Sequence, residues 1–289
     1  MATSSKTGRV AVVTGASRGA GRGIAIALGR HGYTVYVTGR TEKSGQAPLP
    51  GTIYETEKAV TAAGGKGIAV RVDHSNDQET KALFERVAKE QGRLDVLVNN
   101  VAAIHDDLIK GGGFWEKSVD LVHILDVGLR SQYLASYYAA PMMVKQEHGL
   151  IVFTSSPGSV CYMHGPAYGA QKAGVDKFAA DMAVDLKEYN VATVSIWMGM
   201  LLTERTRAVM AAEPEKYGAL IDGAETPEFT GHVVAALYDD PNLMEQSGRT
   251  LIGAEAAVHY GLKDEGGKQP PSHRAMLGDP RIPHPAVVR

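Results

Sequence analysis

Six times along this chain a short apolar run rich in β-branched residues is followed by a stretch with helical spacing, and this alternation restricts the fold more than any other feature. Arg9–Thr14, Thr34–Thr38, Gly67–Val72, Leu94–Val98, Gly149–Thr154 and Val191–Trp197 read as strands buried on both faces, with Arg249–Ile252 as a last one. Helical patterns fill the intervals at Gly15 to His31, Ile53 to Ala63, Asp77 to Gln91, about Ser118 to Lys145, Pro166 to Tyr189 and Glu228 to Tyr238. Parallel strands need long crossovers, and crossovers of this length are helices. The expected fold class is therefore α/β: a doubly wound, mainly parallel sheet in a single domain with helices on both faces.

Such sheets bind ligands beyond the carboxyl ends of their strands. Gly15-Ala16-Ser17-Arg18-Gly19-Ala20-Gly21 follows the first strand and opens a helix, where glycines permit a tight turn and let a pyrophosphate approach the backbone amides. That arrangement predicts a dinucleotide site in a Rossmann fold. After the second strand many such folds carry an acid for the ribose 2′-hydroxyl; here Gly39-Arg40 stands instead. Arg40, with Arg18 from the turn, is suited to a 2′-phosphate, so the expected cofactor is NADP(H). Asp73 ends the third strand and either accepts from the adenine amino group or caps the next helix. Asn99-Asn100 ends the fourth, where asparagines bridge strands or form turns.

Tyr168 and Lys172 begin the fifth helical pattern. At positions i and i+4 they share a face, and a cation beside a phenol lowers its pKa. Such a tyrosine gives a proton to a carbonyl oxygen or takes one from an alcohol. Ser155-Ser156 lies at the carboxyl end of the fifth strand, and Met198-Gly199 at that of the sixth. Gly199 to about Thr226 is mixed and charged, which fits a mobile cover over the crevice.

These spaced motifs resemble the short-chain dehydrogenases/reductases over roughly residues 9 to 262. The matching parts are Thr14-Gly15-x-x-x-Gly19-x-Gly21, Asp73, Asn99-Asn100-x-Ala102, the serine pair, Tyr168-x-x-x-Lys172, and Thr203 after Gly199. Ser155 to Ser159, Val127 to Arg130 and His259 to Leu262 look most like the family-member-one subgroup and its bacterial relatives. The resemblance implies an NADP(H)-dependent reductase of carbonyls or oxidant of secondary alcohols. In it Tyr168 is the proton donor or acceptor, Lys172 tunes it and binds the nicotinamide ribose, and a serine holds the substrate oxygen. Counting along the strand favours Ser156, whereas counting back from Tyr168 favours Ser155. Gly15, Ser17, Arg18, Gly19, Ala20, Gly21, Arg40, Asp73, Asn100, Gly199 and Thr203 are the implied cofactor contacts, together with Tyr168 and Lys172. Gly128 stands where the family has a catalytic asparagine, and Met198 where it has a proline. Both departures motivate the alternative, a cofactor-binding sensor or scaffold without turnover. Phe114, Trp115, Val160, Cys161, Tyr162, Met163 and His164 fall where family substrate clefts form and suggest a partly apolar substrate.

Thirty basic and thirty-two acidic residues, a formal charge of -2, point to neither nucleic acid nor an anionic membrane. Cys161 is the only cysteine, so no internal disulfide forms, and no apolar run approaches the roughly 18 residues of a membrane span. A cytoplasmic protein is expected, with no metal cluster. By resemblance it forms a homodimer or homotetramer through the helices near Ser118–Lys145 and Pro166–Tyr189. The NAD(P)-binding domain is expected over 1–263, beginning with the polar leader Met1 to Thr7. The Pro/Gly-rich tail over 264–289 is read as extended and able to reach a neighbouring subunit.

Overall fold

A computed structural model describes residues 8–289, apart from the side chains of 216–220, so the leader Met1 to Thr7 lies outside the described residues. Seven strands, β1 (Val10–Val13), β2 (Thr34–Gly39), β3 (Lys66–Arg71), β4 (Val96–Asn99), β5 (Gly149–Ser155), β6 (Val191–Trp197) and β7 (Thr250–Ile252), form one sheet in the order β3-β2-β1-β4-β5-β6-β7. Every pairing is parallel. The order reverses at β1, and β1 and β4 run side by side there. That is the switch point where such sheets open a crevice.

The strands alternate their side chains between two cores. Ala11 and Val13 pack with helices α1 (Gly19–Arg30) and α2 (Ile53–Ala62) on one face, whereas Val10 and Val12 pack with α3 (Asp77–Gln91), α4 (Ser131–Gln146) and α5 (Pro166–Leu186) on the other. Local chemistry fixes the helix ends. Thr52 and Glu55 close a capping box at the start of α2, Asn76 caps α3, and Gly92 ends α3 in the left-handed region.

The long pattern from about Ser118 is not one helix. It divides into a 3₁₀ turn at Val119–Val122, a single α turn, a π turn over Asp126–Arg130 and then α4. At the π turn the Gly128 carbonyl accepts the Gln171 Nε2 proton of α5 at 2.7 Å, and the Ser131 hydroxyl donates back to the Val127 carbonyl. Side-chain hydrogen bonds inserted into the backbone ladder widen the coil there. After β6 come α6 (Glu204–Ala212), α7 (Phe229–Asp239) against the α1 face, and α8 (Gly253–His259).

Beyond α8 the chain around Ser272–Arg274 lies against the domain. Arg274 and Ser272 both donate to the Glu255 carboxylate, at 2.8 and 2.7 Å, and the His273 ring leans over Trp197 at 6.0 Å. Arg274, ahead of Ser272 and against the opposing cost of burial, holds the Glu255 carboxyl down to about 2. The composition of the tail reads as extended, but ion pairing with α8 and one helical turn at Arg274–Leu277 fasten it.

Candidate active site

At the switch point the floor is built from backbone groups. The Thr14 hydroxyl donates to the Val98 carbonyl at 3.2 Å and accepts from the Asn100 and Val101 amides at 2.9 and 3.1 Å. The Asn100 side chain returns to the Thr14 and Gly15 carbonyls at 2.9 and 3.2 Å, so it braces the glycine turn. Its neighbour Asn99 points the other way, donating to Ser136 Oγ at 2.9 Å. Gly15 sits at φ +67°, and a Cβ there would lie 2.8 Å from the Val101 backbone, so no other residue fits. Ser17 is buried in the turn, and Gly19, Ala20 and Gly21 form the first turn of α1. The first-turn amides of a helix have no intrahelical partners and attract anions. Glycine geometry, first-turn amides and dipole together fit a dinucleotide pyrophosphate.

At the far end of the crevice Arg40 follows β2, largely exposed, 3.8 Å from the Asp73 carboxylate. Arg18 is more committed: its Nε donates to the Pro50 carbonyl at 3.0 Å, and its Nη2 to the Gly51 carbonyl and Thr41 Oγ1. Burial chiefly lowers the Arg18 pKa; Glu204 opposes this, and Arg205 and Arg40 add to it. Asp73 accepts from Ser75, while Asn76 caps α3, so the capping alternative for Asp73 gives way to a turn.

Where β5 ends, the two serines part. Ser155, fully buried, directs its hydroxyl to the Lys172 carbonyl at 3.4 Å, whereas Ser156 Oγ lies 2.9 Å from the Tyr168 hydroxyl. Ser156 Oγ also accepts the Gly158 amide proton at 3.2 Å. Gly158 has to be glycine: a Cβ would come 2.6 Å from the Tyr168 ring. Lys172 is buried one turn along α5, with Nζ 5.5 Å from the centre of the Tyr168 ring and donating to the Thr154 carbonyl at 3.1 Å. Burial lowers the Lys172 pKa to about 8 against the pull of Asp176. Burial also raises the Tyr168 phenol, only partly opposed by Ser156. The expected pairing is thus present in space, and burial holds the phenol above its ordinary range.

Comparison with known proteins gives the same assignment. Residues 9–214 match the family described as short chain dehydrogenase. The chain belongs to this family. The short-chain dehydrogenase is 43% identical over 272 residues to mouse dehydrogenase/reductase SDR family member 1, covering 90% of this chain and 84% of the relative. The human protein of the same name is 41% identical over the same shares. A metagenomic short-chain oxidoreductase, solved in complex with NADP, superposes with a TM-score of 0.67 at 28% identity, covering 86% of this chain and 97% of that one.

In this short-chain dehydrogenase two carboxylates that sequence patterns do not flag hold the segment from Gly199 to Thr226, one bonding within it and one reaching the glycine turn. Glu225, buried, accepts the Gly199 amide proton at 3.1 Å, and its backbone pairs with Met200 and Leu202. Burial, more than the opposing Gly199 bond, raises its carboxyl to about 7, with Asp264 adding to the rise. Glu204 accepts the Gly19 amide proton at 3.0 Å. Thr203 caps α6 by accepting from the Thr206 amide and faces the glycine turn. A cleft of about 420 Å³ opens beside α5, lined by Phe114, Trp115, Cys161, Tyr162 and Met163. Trp115 and Tyr162 are 75% and 83% exposed at its mouth, so they rim the cleft rather than fill a core. Val160 turns away to pack with Trp197, Ile252 and Ala254, and His164 meets the Tyr168 ring edge-on at 5.0 Å. At Gly128, where the family has an asparagine, the backbone carbonyl accepts a Gln171 amide proton.

Proposed function

We propose that this short-chain dehydrogenase is an NADP(H)-dependent carbonyl reductase of partly apolar substrates. The observation that carries this reading is the Tyr168 hydroxyl held 2.9 Å from Ser156 Oγ, with Lys172 buried one turn away. Two hydroxyls converging on one point hold a carbonyl oxygen, and a phenol kept protonated by burial is poised to donate to it. The same pair takes the proton back when an alcohol is oxidised. As the phenol loses its proton, Lys172 offsets the charge that develops on its oxygen. When bound, the nicotinamide supplies the hydride. Ser156 is the substrate-facing serine and Ser155 a strut beneath Lys172.

The turn residues Gly15, Ser17, Gly19, Ala20 and Gly21 would hold the pyrophosphate, with Asn100 bracing them. Arg40, with Arg18 nearby, would hold the 2′-phosphate, and Asp73 the adenine. Gly199 and Thr203 close over the nicotinamide end. The open 2′-phosphate end beside Arg40, where many relatives of this fold carry an acid, supports NADP(H) over NAD(H). The aromatic cleft supports an apolar carbonyl substrate, and the exposed Tyr133, Tyr137 and Val184 on α4 and α5 support a homodimer or homotetramer. The single cysteine suits the reducing cytoplasm.

The test is NADPH-dependent turnover of a panel of apolar ketones and aldehydes, with NADH in parallel. Turnover with NADPH that disappears in Tyr168→Phe, while NADPH still binds, is the expected result. NADPH binding with no turnover of any panel member would favour the sensor or scaffold reading, and unchanged turnover in Tyr168→Phe would remove the proposed acid.

A further inference from the structure

Helix α1 lacks a cap of its own. Arg18 stands at its N-cap with no side-chain hydrogen bond, and its first turn holds no acidic residue. The negative charge that a helix start attracts is supplied instead from 185 positions away. Glu204 Oε2 accepts the Gly19 amide proton at 3.0 Å, and Glu204 Oε1 lies 3.9 Å from Arg22 Nη1. Glu204 is the first residue of α6, directly after Thr203, so this one carboxylate ties the cover to the glycine turn.

We infer that Glu204 is a displaceable latch that sets the affinity of this chain for its dinucleotide. The inference rests on the function proposed above, which places the pyrophosphate at the same turn. A diphosphate and a carboxylate compete for the same amide donor and repel each other at that distance. Binding therefore requires the Glu204 side chain to leave Gly19 and Arg22. Because Glu204 begins α6, its departure frees the start of that helix. The affinity measured for the cofactor is the intrinsic affinity reduced by the fraction of molecules with the latch open.

The test uses the full chain and two readouts. In titrations followed by NADPH fluorescence, E204Q, which keeps the shape of the side chain and removes its charge, is expected to bind NADPH about threefold to tenfold more tightly than the parent. By hydrogen exchange without cofactor, the amides of Gly19 and of Glu204–Ala212 are expected to exchange faster in E204Q, and the difference to vanish once NADPH is bound. Adenosine 2′-monophosphate reaches the Arg40 end and has no diphosphate, so it is expected to bind both proteins alike. Equal or weaker NADPH binding by E204Q, with adenosine 2′-monophosphate still bound, overturns the latch and leaves the cofactor reading standing. NADPH binding by neither protein overturns both. Should E204Q fail to fold, E204D, one methylene too short to reach Gly19, is expected to show the same faster exchange, and unchanged exchange would overturn the inference.

Discussion

Where β1, β4 and β5 end, backbone groups and short side chains do most of the holding; across the cover between Gly199 and Thr226, carboxylates do it. On the floor, Thr14, Asn100 and Lys172 each bond to main-chain carbonyls or amides whose positions the sheet fixes. On the cover, Glu225 and Glu204 reach main-chain amides of Gly199 and Gly19 from outside the sheet. A bond between fixed backbone groups opens only with the fold, whereas a carboxylate can be protonated, displaced or replaced by another anion. The contrast separates bonds that the sheet holds in place from bonds that a proton or another anion can replace.

The harshest test of the floor is Tyr168→Phe. Loss of a positioned acid should lower kcat about 10²- to 10⁴-fold on any carbonyl the parent reduces, with NADPH binding unchanged. Steady-state kinetics read it, and retention of more than a tenth of the rate would break the assignment. The serines sharpen the comparison next. Ser156→Ala should lower kcat/KM about tenfold to a hundredfold by removing a hydrogen bond to the substrate oxygen, whereas Ser155→Ala, beneath Lys172, should leave kcat/KM within about threefold. Equal losses from the two would erase the distinction.

The cover answers to pH. The folded-state pKa of Glu225, about 7, stands above its value of about 4.3 in the unfolded chain, so the folded state binds the proton more tightly. Its favourable contribution is complete below about pH 4 and is lost as pH rises through about 7. Glu225→Gln should therefore gain about 1–3 kcal/mol over the parent at pH 8, and the gain should shrink toward zero at low pH. Denaturant midpoints at the two pH values check this, and a gain independent of pH would mean that the carboxyl does not titrate between them. The smallest effect is expected at the rim. Trp115→Ala should raise KM for apolar ketones a few-fold and leave kcat alone, since Trp115 is mostly exposed and touches no reacting group.

How much of this was legible beforehand follows from distance along the chain. The buried strands declare themselves as continuous apolar runs, and the glycine turn and the Tyr168–Lys172 spacing are local, so their positions read directly. Glu204 and Glu225 carry no such signature. Their partners are 185 and 26 positions away, and each looks like an ordinary acid in a charged segment. The π turn at Gly128 was hidden because the Gln171 amide that shapes it belongs to another helix. Spacing shows a cation beside a phenol, but only packing shows how far both have left water. Val160 had the right address for the cleft, but the hydrophobic cluster around Trp197 holds it.

The opposite facing of Ser155 and Ser156 at the end of β5 amounts to a parity rule. Adding or deleting one residue within Gly149–Ser155 would turn every following side chain to the other side of the sheet, presenting the wrong hydroxyl to Tyr168. The loop from Val160 to Gly165 obeys no such rule, because it belongs to no ladder. A change of length is thus tolerated in the loop that carries Tyr162 and not in the strand that carries Ser155, so the mouth of the cleft can change shape while the register beneath it stays fixed.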